Sequence, residues 1–208
     1  WVTGVQTCAL PISKDFQTMR QTGARFVRVY APSCRQLSVW ENLVKAGVEN
    51  GMGVVAMVWW GFDSNAVSAS PGAREPDGGA LTWLPAQESD WKTSEADLFD
   101  LFTTSSYASV APYVVHSASF GSEPIGDGVD GGVDGGFIDD LGSFRKKMNG
   151  FGIPVGISED WDRTAAGQTM NSTSGKGLGE VGAQVKANTD MVHAHGTVLE
   201  FSGFSSTS

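Results

Sequence analysis

Val114-Val115-His116-Ser117-Ala118-Ser119-Phe120-Gly121-Ser122-Glu123-Pro124-Ile125-Gly126 reads as a buried β-strand that stops at a glycine-flanked carboxylate. Apolar and small residues run through Phe120, after which Gly121, Ser122 and Pro124 surround a single acid, Glu123. Pro124 ends the strand because it has no N–H to offer a ladder. In an α/β barrel, an acid at the C-terminal end of a strand stands where catalytic groups gather, so Glu123 is the first candidate for a general acid/base. A surface Glu in a turn is the competing reading of the same residues.

Outward from this strand, helix-like and strand-like segments alternate along the chain. Residues 14–22 end a helix stopped by Gly23, and Arg25-Phe26-Val27-Arg28-Val29-Tyr30 alternates as a strand. The spacing predicts a helix over 37–50, with Leu37, Trp40, Leu43, Val44 and Val48 on one face and Gly51 as its cap. Val54-Val55-Ala56-Met57-Val58-Trp59-Trp60 is a continuous apolar run, as in a strand buried on both faces. A Gly/Pro/Ser-rich loop fills 61–87, and a helix is expected over 93–108 with Thr93 or Ser94 as N-cap.

Beyond Glu123, a Gly/Asp-rich loop spans 126–136, and a helix over 137–149 aligns Ile138, Leu141, Phe144 and Met148. Ile153-Pro154-Val155-Gly156-Ile157-Ser158 is a strand running into Glu159-Asp160-Trp161-Asp162. Residues 178–188 form a further helix, and Met191-Val192-His193-Ala194-His195 a last strand. Sustained β/α alternation of this kind means an α/β fold with a parallel sheet, closed or open. A closed (β/α)₈ barrel takes roughly 250 residues, so five units and a leading helix make about two-thirds of one. No Gly-x-Gly-x-x-Gly turn follows the first strand and no P-loop is present, which makes a nucleotide-binding open sheet the weaker alternative.

The 208 residues are 40% hydrophobic, enough for one core, and carry seven Trp, 27 Gly and a net charge of -9. An acidic, Trp-rich chain argues against nucleic acid or an anionic membrane as partner, since both select Lys/Arg patches. No apolar run approaches the roughly 20 residues of a membrane span. The Asp/Gly repeat of 126–135 lacks the Glu that closes an EF-hand loop, so a flexible loop is the better reading and no metal is assigned. Asn171-Ser172-Thr173 is a glycosylation acceptor pattern and suits secretion.

Residues 1–12 are set aside from the fold argument. Val2-Thr3-Gly4-Val5-Gln6-Thr7-Cys8-Ala9-Leu10-Pro11-Ile12 reads, codon for codon, as a translated sequencing-library adapter. On that reading biological sequence starts near Ser13, and Cys34 is the one remaining thiol, which reports nothing on redox compartment.

Polar and aromatic groups collect at the strand ends: Tyr30; Trp59, Trp60, Phe62 and Asp63; Glu123; Glu159, Asp160, Trp161 and Asp162; His193 and His195. Carboxylates among indole rings are what glycoside hydrolysis uses, one acid protonating the leaving oxygen, a second attacking or activating water, and flat rings stacking on sugars. Structural readings stand beside each role. Trp59 and Trp60 face opposite ways, so one is core and only the other can face a cleft. Trp40 and Trp91 suit helix packing. His193 and His195 share a strand face, which fits substrate contact or a structural bond; two ligands do not make a metal site.

Four motifs carry a family resemblance: Phe26-Val27-Arg28-Val29-Tyr30, Phe120-Gly121-Ser122-Glu123-Pro124, Gly156-Ile157-Ser158-Glu159-Asp160-Trp161-Asp162 and Asp190-Met191-Val192-His193-Ala194-His195. In that order they resemble fungal β-1,3-glucanases of glycoside hydrolase family 17, over residues 24–195. The resemblance implies a (β/α)₈ barrel, retaining hydrolysis of β-1,3-glucan in carbohydrate metabolism and wall remodelling, and a secreted or cell-wall location. It makes Glu123, at the end of strand four, the acid/base. It also implies sugar contacts from Tyr30, Trp59, Trp60, Ser122, Glu159, Trp161, His193 and His195, with no cofactor and a monomeric chain.

Two departures stand out. Ser122 occupies the position where the superfamily places Asn. The family nucleophile, a Glu at the end of strand seven, has no counterpart here. The chain is therefore read as strands two to six of a partial barrel over 13–195, lacking the first strand and the last two, with 196–208 departing from the pattern as an out-of-frame tail would. Glu159 on the neighbouring strand suits the cleft wall better than the nucleophile role. This chain alone is expected to be inactive. The rival reading is a non-catalytic glucan-binding or wall-structural protein on the same scaffold, and a third is another sugar-acting hydrolase.

Overall fold

The computed structural model describes residues 12–29, 36–60, 90–122, 136–160 and 180–195. Its elements are α1 (Ile12–Gln21), β1 (Phe26–Arg28), α2 (Leu37–Asn50), β2 (Gly53–Val58), α3 (Asp90–Thr103), α4 (Ala111–Val114), β3 (Val115–Ser122), α5 (Phe137–Asn149), β4 (Val155–Asp160), α6 (Glu180–Ala187) and β5 (Met191–His195). The strands form one sheet in the order β1-β2-β3-β4-β5, every neighbouring pair parallel. An order that follows the chain without reversal, with right-handed crossovers, keeps the helices on one face. The sheet curls into a half-barrel, and among the described residues the helices pack on its convex side. Among the described residues no helix is long and apolar enough to cross a membrane.

The core lies between sheet and helices. Val54, Ala56 and Val58 of β2, Ala118 and Phe120 of β3, and Val155 and Ile157 of β4 are fully buried. They meet Trp40, Leu43 and Val44 of α2, Leu98 and Leu101 of α3, and Phe137, Leu141, Phe144 and Met148 of α5. Phe120 is the centre of this packing, with its ring 4.9 Å from Phe144, 5.8 Å from Phe137 and edge-on to Trp91 at 5.7 Å. Gly47 lets α2 press against the helical turn before β3 and the turn into β2, because a Cβ there would lie 2.6 Å from Val114 and 2.8 Å from the Met52 carbonyl oxygen. Gly51 ends α2 in the left-handed region at φ 60°, its N–H reaching the Gly47 and Val48 carbonyls, as its position after the last helical turn predicts. On α5, Asp139 and Asp140 in the first turn and Lys146 and Lys147 in the last complement the helix dipole.

Several local expectations change. Val48 turns to solvent, 54% exposed, because α2 is buried along Trp40, Leu43, Val44 and Gly47. α3 begins at Asp90, so Ser94 sits inside the helix and is buried rather than capping it. A helical turn, α4, with Pro112 at its start, claims Val114 before the strand begins. β2 is buried along nearly its whole length, as its apolar run predicts, with only Val55 partly exposed. Ile12, the last residue of the segment read as adapter-derived, starts α1 and is 3% exposed.

Candidate functional site

The concave face is built by the residues that alternate with the buried core positions. On β1 this is Arg28, beside Val27, and on β2 it is Met57, with Trp59 just past the strand end. β3 is irregular twice. Val54 pairs with Val115 but Val55 with Ser117, so one step on β2 spans two on β3, a bulge at His116. The bulge shifts the alternation so that Ser117 and Ser119 belong to the concave face and Ala118 and Phe120 to the core. Further along, Ser119 pairs with Gly156 and Ser122 with Ser158, so three steps on β3 match two on β4. Gly121, at φ 82°, takes up that second irregularity in the left-handed region open to glycine. Glu123 follows directly after this element.

Small residues pave the middle of the face: Ser117, Ser119 and Ser158 are buried, and Gly156 has no side chain. Longer groups reach over them from the outer strands. Arg28 Nη2 on β1 donates to Ser158 Oγ on β4. From β5, His193 places Nε2 3.0 Å from Ser117 Oγ on β3. Its Nδ1 stands over Gly156, 3.1 Å from where a Cβ would be. Ser119 Oγ is buried with no hydrogen-bond partner among the described residues.

Trp59 and Trp60 divide as adjacent strand positions must. Trp60 is 1% exposed beneath the helices, its indole N–H donating to Asp140 Oδ2 at 2.9 Å and its ring 5.2 Å from Phe137. The expectation that Trp60 contacts substrate is thereby corrected, because it is a core residue. Trp59 is partly buried on the opposite face. Trp40 and Trp91 are buried in helix packing, as their sequence positions suggest.

At the far end of the sheet, β5 is clasped to β4 by Asp190. Its N–H donates to the Val155 carbonyl at 2.7 Å, and its Oδ2 accepts from the Val155 N–H at 2.9 Å. Oδ1 accepts from Arg145 Nη2 at 2.7 Å and Nε at 2.9 Å, and the Asn149 amide donates to Oδ2 at 3.1 Å. Burial alone would push the Asp190 carboxyl up; the hydrogen bonds from Arg145 and the Val155 N–H, with the Arg145 charge and Asn149, outweigh it and hold the pKa below the ordinary range.

Ser122, Glu159 and His195 are placed by their backbone. Ser122 pairs with Ser158, Glu159 with Ala194 and Asp160 with His195. Tyr30, Glu123 and Trp161 lie outside the described residues. Of the expected contacts, the structure therefore brings Trp59 and His193 to the concave face. It adds Arg28, Ser117 and Ser158, which the sequence reading did not single out as site residues. The signal for them was a polar residue at every second position of an otherwise apolar strand. Among the described residues no group of three or more His, Cys, Asp or Glu is gathered to hold a metal ion. The chain matches no protein-family model, no curated protein and no solved structure.

Proposed function

We propose that the intact protein is a retaining glycoside hydrolase acting on β-1,3-glucan, with Glu123 as acid/base, on a (β/α)₈ barrel of which these five strands are the second to the sixth. The observation that carries the reading is β3 itself, a central parallel strand of a curled sheet that bulges at Gly121 and ends one residue before Glu123. Bulges gather beside active sites, where they re-aim a side chain. The C-terminal ends of parallel barrel strands are where substrates are met. Trp59, on the concave side at the end of β2, supplies a flat ring for a sugar face. A second carboxylate about 5–5.5 Å from Glu123 would act as nucleophile in a retaining enzyme, and strand seven of the full barrel is its proposed source. The protein would act as a monomer in a secreted or wall-associated setting, with the sugar contacts named above except Trp60 and His193.

The test is laminarin hydrolysis by the protein carrying its natural flanking coding sequence. Release of reducing sugar with retained anomeric configuration is expected, falling by about 10²–10⁴ in Glu123→Gln, the usual worth of a positioned acid/base. Laminarin binding with no release in the unsubstituted protein would favour the non-catalytic glucan-binding reading.

A further inference from the structure

We propose that His193 is a positioning residue that acts through Ser117, holding β5 in place against β3 without touching sugar; the inference rests on the glucan reading above. Across β3, β4 and β5, Ser122 pairs with Ser158 and Ser158 with His193, so these three residues form a row immediately before Glu123. The His193 ring leaves that row. Nε2 meets the hydroxyl of Ser117, five residues before Ser122 on β3, and Nδ1 stands over Gly156, two residues before Ser158 on β4. Both contacts lie toward the N-terminal ends of the strands. Substrate meets a barrel at the C-terminal ends. The imidazole therefore points down the barrel, away from the end where Glu123 follows.

What the ring spans explains why it is a histidine and why its neighbours are small. β3 and β5 are second neighbours, about 9.6 Å apart at two sheet intervals, so a bond between them must cross β4. Gly156 is the crossing point. A Cβ there would meet both the ring and the Met191 carbonyl oxygen, the latter at 2.4 Å. Ser117 is 5% exposed and is carried onto the concave face by the His116 bulge, and its hydroxyl can donate to or accept from either tautomer. The strut thus fixes β5 relative to the strand that runs into Glu123. It also fixes the register in which His195 ends β5 opposite Asp160 of β4.

The test pairs Ser117→Ala with Ser117→Thr, which keeps the hydroxyl, and reads His193 ring nitrogen shifts by NMR in the 208-residue chain. Ser117→Ala is expected to change the tautomer signature of His193 and Ser117→Thr to restore it; an unchanged signature in Ser117→Ala overturns the strut. Titration with laminari-oligosaccharide should then move the Trp59 indole resonance and leave the His193 ring in place. A His193 ring that moves with the sugar makes it a substrate ligand and overturns the proposal. If the Trp59 resonance is also silent, the glucan reading fails, and the positioning role falls with it even where the tautomer response stands. In the full-length protein, Ser117→Ala should lower kcat roughly ten- to a hundredfold, as misplacement on the order of an ångström does, with KM unchanged. A raised KM at constant kcat contradicts it.

Discussion

Arg28 of β1 donates a hydrogen bond to Ser158 of β4 across two intervening strands. In a flat sheet those strands would be about 14 Å apart, at three intervals of roughly 4.8 Å, beyond the reach of an arginine side chain. The contact exists because the sheet curls. It also marks the concave face as polar, where a barrel interior is ordinarily layered with branched apolar residues.

Removing the guanidinium should loosen that curl. Arg28→Met is expected to destabilise the chain by about 1.5–3 kcal/mol, the worth of a hydrogen bond to a charged group, because the bond to buried Ser158 is lost. Urea unfolding followed by tryptophan fluorescence measures it. An unchanged midpoint would mean the contact contributes nothing to stability.

The two adjacent indoles should separate stability from binding. Trp60→Ala opens a cavity among Trp91, Phe137 and Asp140 and should cost about 3–5 kcal/mol. Trp59→Ala should cost clearly less stability than Trp60→Ala and weaken laminari-oligosaccharide binding. Calorimetric titration beside melting curves for both variants checks the pair, and equal effects from the two would contradict the division of faces.

Gly121 should be intolerant of side chains in a graded way. At φ 82°, a β-branched residue is strained and asparagine much less so. Gly121→Val is expected to cost roughly 1–3 kcal/mol and Gly121→Asn clearly less, measured by equilibrium unfolding. The same order should appear in the activity of the full-length protein, because the bulge precedes Glu123.

Two carboxylates should pull stability in opposite directions with pH. Asp190 is held below its ordinary value of 3.8, so the folded state binds fewer protons there than the unfolded chain. Its contribution is present above about pH 4 and lost as the pH falls through the folded value. Glu95 is pushed above its ordinary 4.5, first by burial and against the pull of Lys147. Its contribution is present below that value and lost as the pH rises through the folded one. Urea midpoints from pH 2.5 to 7 should show Asp190→Asn flattening the acid limb and Glu95→Gln gaining stability at the neutral end. A parallel pH profile in both variants would refute the assignment.

Hydrophobic periodicity alone located five strands and the helices between them, including the bounds of α5 and β5 and the glycine that caps α2. Those signals are local, set by which side chains recur every two or every three to four residues. α4 escaped it, because a single turn led by Pro112 carries too few residues to show a period. The start of α3 was blurred for a related reason, since Ser94 reads equally well as a cap or as a small buried helical residue. The sequence also showed that Trp59 and Trp60 must face opposite ways.

Only the tertiary structure decided which indole is core, because that depends on where the helices lie. It also turned the His193 ring away from the strand ends and brought Arg28 to Ser158. These are relations between second- and third-neighbour strands, far apart in the chain. They depend on two bulges in β3 and on the curl of the sheet, neither of which a one-dimensional pattern of polar and apolar residues records.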